Sequence, residues 1–306
     1  MKLDTIGFGA LNLDKLFFVD KIVEGGGESA IRRYTESAGG SAANTIVGLA
    51  RLGARVGFIG KISEDSEGRY LLKSLSIENV DVKGISVVKN GKSGIVLGFI
   101  DDSGERSLYV DPGVNDTIDI TEIDLNYAVN CEYMHLTSFV GEKSFHTQIK
   151  VLEESSEVKI SLDPGELYVR KGLKALKPII NRSHVIFPNR NELKTLTGKD
   201  FKEGSRILLN NGVNIVAVKL GSRGCFVTDG REEHLIDPYE VRVVDSTGAG
   251  DAYCAGFLFG LIKNKDLYTC GKIGNFLAAS SIKAEGARKG LPKYSDIDNM
   301  TIRDIF

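Results

Sequence analysis

Short apolar runs alternate with amphipathic stretches along nearly the whole chain. Residues 3–10, "LDTIGFGA", form an apolar run ending in glycine, and "LNLD" follows, which predicts a strand delivering polar side chains at its end. Residues 16–37 hold a triple glycine between two partly alternating pieces and predict strand, turn, strand. "GGSAANTIVGLARLG", residues 39–53, places Ala43, Ile46, Val47 and Ala50 at helical spacing behind a serine read as the cap, and it stops at a glycine. "ARVGFIGKI" then reads as a buried strand, "SEDSEGRYLLKSLSIENV" as a helix and "KGISVV" as a strand. "SGIVLGFI", the turn "DDSG" and "ERSLYV" interrupt this rhythm with a β-hairpin suited to pairing with the earlier strand–turn–strand piece.

The βα alternation resumes after Pro112. "CEYMHL", "EVKISLD", "SHVIFPN" and "NIVAVKLG" read as strands. Between them, "EKSFHTQIKVLEESS" carries Phe145, Ile149 and Leu152 on one helical face, and "NELKTLTG" is a second helix. "GCFVTDG", a helix from about Gly248 and another through "GKIGNFLAASSIKAEGA" complete the chain. No linker rich in Pro, Ser or Gly divides it. The expectation is therefore one α/β domain over residues 1–306, a doubly wound, mostly parallel sheet, with a small β lid formed by about 13–37 and 90–112.

Composition narrows the partner. The chain has 306 residues, a formal net charge of −2 and scattered Lys and Arg, which argues against nucleic acid and acidic membranes and for a small molecule. Cys131, Cys225, Cys254 and Cys270 show no C-x-x-C spacing, and three lie in apolar runs, as buried thiols of a reducing compartment do. No signal peptide or membrane-spanning run is evident, so a cytoplasmic location is expected.

The segment "DSTGAGD", residues 245–251, concentrates two acids, two hydroxyls and two glycines ahead of the apolar run "AYCAGFLFGLI". A helix N-terminus at the end of a strand offers unpaired N–H groups and the positive end of the dipole to an anion. Gly248 and Gly250 allow a phosphate to approach the backbone, and Ala249 adds almost no bulk. Asp251 would repel that phosphate, so the task that suits it is accepting the proton of an attacking hydroxyl. The dipole is expected to make it a weak base, which suffices for a loose phosphoryl-transfer transition state. An ordinary helix cap explains the same residues without chemistry. Two other nucleotide signatures fail. "GKS" at residues 91–93 has Ser86 where a P-loop needs glycine, and "GFGALN" lacks the third glycine of a dinucleotide fingerprint.

Together, "GGSAANTIVGLARLG" and "DSTGAGDAYCAGF" resemble the two signatures of the ribokinase-like (PfkB) family of carbohydrate and nucleoside kinases, about two hundred residues apart and in the expected order. The resemblance implies an ATP-dependent kinase with Asp251 as catalytic base and Gly248, Ala249 and Gly250 as an anion hole. It implies that Asn189 and Glu192 of "NRNE" organise Mg²⁺, mostly through water, near the ATP phosphates; the plain alternative is a helix cap with a first-turn acid. "KLGSRG" resembles the turn beside the nucleotide, bringing in Lys219, Gly221, Ser222, Arg223 and Gly224, and Asn275 matches the adenine pocket. Asn12 and Asp14 resemble the family's N-x-D, joined by Gly40 and Asn44 as binders of sugar hydroxyls. A monovalent cation such as K⁺ is implied at Asp245 and Thr247, with Ser280 and Gly286 as further candidates.

"GERSLYVDPGVND" resembles the ribokinase lid hairpin and favours a furanose, ribose above all. Thr137, where ribokinases tend to place an acid, and "GGSAAN" in place of "GGKGAN" resemble nucleoside-accepting members instead. A ketodeoxygluconate-type sugar acid kinase ranks third. A non-catalytic sugar- or nucleotide-binding regulator would need a damaged anion hole or base, and both are intact. The lid residues Phe17, Phe18 and Val19 read as exposed apolar positions that either pair with a second subunit in a homodimer or cover substrate within one chain.

Overall fold

Strands buried on both faces read as nearly continuous apolar runs, and the central strands of this chain do so because helices cover the main sheet on both sides. The computed structural model describes residues 2–103 and 105–297. Gly104 of the expected turn and residues 298–306 of the expected domain lie outside the described residues. The strands are β1 Leu3–Phe8, β2 Asn12–Val19, β3 Ile31–Gly39, β4 Val56–Ser63, β5 Asp81–Val88, β6 Gly94–Ile100, β7 Arg106–Asp111, β8 Cys131–Thr137, β9 Lys159–Asp163, β10 Ser183–Ile186, β11 Ile215–Lys219, β12 Cys225–Thr228 and β13 Glu233–Ile236. The helices are α1 Ser41–Arg51, α2 Ser66–Ile77, α3 Leu125–Ala128, α4 Glu142–Glu153, α5 Gly165–Val169, α6 Gly172–Ile180, α7 Arg190–Thr197, α8 Phe201–Asn210, α9 Ala249–Ile262 and α10 Leu267–Ser281.

The main sheet runs β13-β12-β11-β10-β9-β8-β1-β4-β5, parallel from β5 to β11, with β12 and β13 antiparallel at one edge. β1 lies between β4 and β8, so the strand order reverses beside it; ligands of open α/β sheets bind at such a point, outside the carboxyl ends of the strands. The second sheet, β3-β2-β6-β7, leaves the main one at the end of β1. In it β2 pairs parallel with β6, so the hairpin and the earlier strand pair do join.

One face of the main sheet buries Phe58, Phe187, Phe257 and Ile273 beneath α1, α9 and α10. The other buries Phe8, Met134, Leu162 and Val216 beneath α4, α6, α7 and α8. Helix α9 is apolar on every side and Ala252–Gly260 are all buried. Glycines let it approach its neighbours closely: a Cβ on Gly256 would lie 2.6 Å from the Ile273 carbonyl oxygen, and one on Gly48 would lie 2.7 Å from the Ala255 Cβ. All four cysteines are free and buried. Among the described residues no helix is long and apolar enough to cross a membrane.

The structure departs from the sequence reading in three places. Ser41 does not cap α1; the cap position is Gly40, and no side chain bonds the first turn. Val19 is buried and Phe17 and Phe18 are half-buried, because Phe17 stacks on Tyr34 and Phe99 within the small sheet. Its exposed apolar residues are instead Ile31, Tyr34, Leu108, Tyr109 and Val110 on the two outer strands. Helices α5, α6 and α8 and strand β13 occupy stretches whose short, mixed patterns did not announce them.

Gly40 turns the chain from β3 into α1 at φ 100°, and a Cβ there would lie 2.3 Å from the Ala10 carbonyl oxygen. Gly40→Ala therefore meets both backbone strain and a backbone clash, and it should cost about 2 kcal/mol or more. Urea unfolding checks this; an unchanged midpoint would contradict it.

Candidate active site

Asp251 stands in the first turn of α9, and its carboxylate ties that helix to α1. Ser41 Oγ donates to Asp251 Oδ1 at 2.6 Å, Asn44 Nδ2 donates to Oδ2 at 2.8 Å, and Thr45 Oγ1 donates to the Asp251 carbonyl at 3.2 Å. Burial raises the Asp251 pKa to about 6; the Ser41 and Asn44 hydrogen bonds oppose the rise, the Asp163 charge adds to it and Lys219 opposes it. The expectation of a weak base is thus corrected. Desolvation outweighs the hydrogen bonds from Ser41 and Asn44 and gives a carboxylate that binds a proton more tightly than a free one.

The N-terminus of α9 carries no side-chain cap. Gly248 is the cap residue at φ 76°, in the left-handed region, and packs so closely on Ala287 that a Cβ would lie 2.5 Å from the Ala287 Cβ. Facing Gly250 is Lys219, whose Nζ lies 3.3 Å from where a Gly250 Cβ would be. Lys219 Nζ also donates to Asp163 Oδ2 at 2.6 Å, with both side chains largely buried. Burial works against its charge, but attraction to Asp163 prevails and raises its pKa. A cation, a helix N-terminus and two glycines therefore converge on one anion-sized space.

Two cavities meet at this segment. The first, of about 490 Å³, is lined by Lys219, Gly221, Ser222, Gly224, Tyr239, Ala249, Gly250 and Asn275 among others. Every residue expected beside the nucleotide is there except Arg223, Asn189 and Glu192. Asn275 is buried rather than an exposed helical residue, and its Nδ2 donates to the Ile236 and Asp237 carbonyls at 3.2 and 2.9 Å. Asn189 and Glu192 form a reciprocal capping box on α7, with Glu192 N donating to Asn189 Oδ1 at 2.9 Å and Asn189 N to Glu192 Oε2 at 2.7 Å. The cap reading therefore holds in the fold, while the Glu192 carboxyl still faces Asp163 and Lys219; burial first, then the Asp163 charge, raises its pKa.

The second cavity, of about 690 Å³, lies between the small sheet and the main body. Leu16, Phe18, Ser37 and Ala38 line it from the sheet, Ser74 from α2, and Asp245, Ser246, Thr247, Gly286 and Arg288 from the C-terminal third. Ser246 and Val243 line both cavities. None of the expected acceptor residues Asn12, Asp14, Gly40 and Asn44 lines this wall; Asp14 lies behind it, packed on Gly39, where a Cβ would fall 2.2 Å from its Oδ2, and faces Arg288. Burial raises its pKa to about 7; Arg288 opposes this and Asp251 adds to it. Asn12 Oδ1 accepts from Asn115 Nδ2 at 3.0 Å, which leaves the Asn12 amide NH₂ as the end turned away from Asn115. Asn44 has both ends of its amide engaged, by Asp251 and Arg288. Asp245 Oδ1 accepts from Thr247 N at 2.9 Å and Oδ2 from Gly286 N at 2.8 Å, so Asp245, Thr247 and Gly286 come together as expected. Ser280 is buried on α10. Thr137 is buried at the end of β8, against Gly9. Among the described residues no group of three or more His, Cys, Asp or Glu is arranged to hold a metal.

Sequence reasoning missed Ser41's bond to the base, Asp163, Asn115 and Arg288. Asp163 had a signal, since it is an acid at a strand's carboxyl end in "KISLD". Arg288, in "GARKG", had none.

The matched family is the pfkB family of carbohydrate kinases, over residues 5–294. The chain belongs to this family. It is 42% identical over 253 residues to a protein of Archaeoglobus fulgidus described as an uncharacterized sugar kinase, covering 82% of this chain and all of that one. It is 32% identical over 291 residues to the ATP-dependent ribose-1-phosphate kinase of Halopiger xanaduensis, covering 93% of each. The crystal structure of ribokinase from Thermotoga maritima superposes with a TM-score of 0.87 at 22% identity, covering 96% of this chain and 97% of that one, and shows the same fold. The protein is thus a sugar or nucleoside kinase of the pfkB family, with a ribokinase-like fold.

The two raised carboxyls give this kinase a pH signature. If Asp251 takes the proton of the attacking hydroxyl and Asp14 binds acceptor hydroxyls, kcat/KM should fall as pH drops through about 7 and then about 6, steepening where both are protonated. Rates measured from pH 5 to 9 check this; a flat profile down to pH 5 contradicts it. Stability runs the other way. The folded chain protonates Asp14 at a higher pH than the unfolded chain, so the ionised group destabilises the fold above about pH 7, and the cost vanishes below about pH 4. Asp14→Asn should therefore raise the melting temperature at pH 8 by roughly 3 °C and leave it unchanged at pH 3.5.

Proposed function

We propose that this kinase transfers the γ-phosphoryl group of ATP to a primary hydroxyl of a furanose, ribose or a ribose-like sugar, with the 490 Å³ cavity taking the nucleotide and the 690 Å³ cavity the acceptor. The observation that carries this reading is the meeting of the two cavities at residues 243–250, directly before a half-buried carboxylate in the first turn of α9.

In this reading Asp251 orients the acceptor hydroxyl and takes its proton as the oxygen attacks the γ-phosphorus. The bond from that phosphorus to the β,γ-bridging oxygen breaks, and ADP leaves. The amides at the start of α9 and the Lys219 ammonium stabilise charge on the equatorial oxygens, where donors fixed in advance act most strongly. Asp14 and Asn12 supply an acceptor and a donor for adjacent sugar hydroxyls, so an acceptor lacking one of them leaves a polar group unpaired. Mg²⁺ would be held by the nucleotide phosphates and water beside Glu192 and Asp163, neutralising phosphate charge; these are the hard oxygen donors it prefers. A monovalent cation such as K⁺ fits the carboxylate and carbonyls around Asp245, Thr247 and Gly286. The small sheet acts as the lid, closing Leu16 and Phe18 over the acceptor to exclude water.

A second reading is favoured by the size of the acceptor cavity, which exceeds what a free pentose needs. A ribose substituted at C1, as in a nucleoside or in the ribose 1-phosphate named for the Halopiger relative, fits the same chemistry at its 5′-hydroxyl.

ADP release with Mg-ATP and a panel of ribose, ribose 1-phosphate, nucleosides and ketodeoxygluconate tests the proposal. Ribose or a C1-substituted ribose should give the highest kcat/KM, and no release above background with any of them would refute it. Asp251→Asn should keep ATP binding by calorimetry and lose at least about 100-fold in turnover; near-normal turnover would remove Asp251 from the role of base.

A further inference from the structure

The loop after α10 touches the start of α9 at two residues and α1 at the next. Gly286 N donates to Asp245, Ala287 packs on Gly248, and Arg288 Nε donates to Asn44 Oδ1 at 2.8 Å. Arg288 also donates to Ser74 Oγ and to the Gly39 carbonyl, both at 3.4 Å. Its own carbonyl accepts from Arg51 Nη1 at 2.6 Å, and Arg51 is locked in turn by Glu78. Among the described residues no carboxylate lies within salt-bridge distance of Arg288, so its hydrogen bonds run to uncharged oxygens. The charged groups facing it are Asp14 from β2, Glu78 after α2, Asp251 from α9 and Arg51 from α1.

A guanidinium only donates, so whichever end of the Asn44 amide meets Arg288 must be the oxygen. That leaves the Asn44 NH₂ for Asp251, where it donates alongside Ser41. Without the arginine the amide is free to turn over and present its oxygen to the carboxylate, a repulsive contact. The same guanidinium is the cation facing two acids, Asp14 and Asp251, that repel each other.

We propose that Arg288 is a positioning residue of phosphoryl transfer: it fixes the direction of the Asn44 hydrogen bond to the base and supplies the positive charge that the acceptor-side acids Asp14 and Asp251 share. The proposal rests on reading this cleft as the acceptor site. Asp251 is also faced by Asp163 from β9 and Lys219 from β11, which Arg288 does not touch, so a change at Arg288 alters one side of the base only.

The test compares Arg288→Met, Arg288→Lys and Asp251→Asn with the parent enzyme, reading kcat, acceptor KM, the pH profile, ATP affinity and melting temperature. Arg288→Met should lower kcat by about 30-fold or more, raise acceptor KM several-fold and move the acidic limb of kcat/KM up by about one pH unit, with ATP affinity nearly unchanged. Arg288→Lys keeps the charge without the planar donor, so its limb should stay in place while kcat remains reduced at least about fivefold. An unmoved limb in Arg288→Met overturns the proposal, whatever the loss of rate or stability. If the methionine variant does not fold, the lysine variant decides: full kcat overturns the proposal, and a reduced kcat on an unshifted limb upholds it. A near-normal Asp251→Asn would sink the reading of the cleft itself, whereas an inactive Asp251→Asn beside a parent-like Arg288→Met would sink only this inference.

Discussion

One carboxylate held between two helix starts sets the rest of this structure. Asp251 is desolvated by the packing of α9 against α1, and two donors on α1, Ser41 and Asn44, keep it in a single orientation. An ionised group in such a place costs folding free energy unless its hydrogen bonds are met. The chain meets them with residues from a helix some two hundred positions earlier, which obliges α1 to begin where it does and therefore obliges the sharp turn at Gly40. Asp251, the residues that follow β1 and the start of α9 are thereby brought to one end of the sheet.

Close helix packing makes this geometry rigid. Glycines at 48, 256, 260 and 274 let α1, α9 and α10 approach to distances that a single methyl group would spoil, and α9 is buried on every side. A base on a surface helix would sway with its side chain; one at the mouth of a core helix moves only if the core does. The first-turn amides of α9 and the Asp251 carboxylate beside them thus share one rigid support.

Opposed charges tune the site without cancelling it. Asp163 keeps Lys219 charged at the glycines of α9, and Arg288 faces both acids of the acceptor side. The two acids take raised pKa values because burial exceeds what these cations return. Reasoning from the dipole alone left out this desolvation, which is why it pointed to a lowered pKa.

The sequence by itself determined the layered α/β architecture, because continuous apolar strands and 3.6-residue periodicity depend on local spacing, and it determined the glycine-and-acid start of α9, because a helix start that must bind an anion can be built from few residue types. It also marked Lys219, Gly221, Ser222, Gly224 and Asn275, which line the 490 Å³ cavity. Only the tertiary structure decided that Ser41 bonds Asp251 instead of capping its helix, that Val19 is buried while β3 and β7 carry the exposed apolar residues, and that Asp163 and Arg288 face Asp251. These depend on contacts between segments 50 to 250 residues apart, where no local period or spacing records the pairing. Whether a serine caps or donates, and whether an arginine is solvated or aimed at an amide, is settled by what the fold places opposite it.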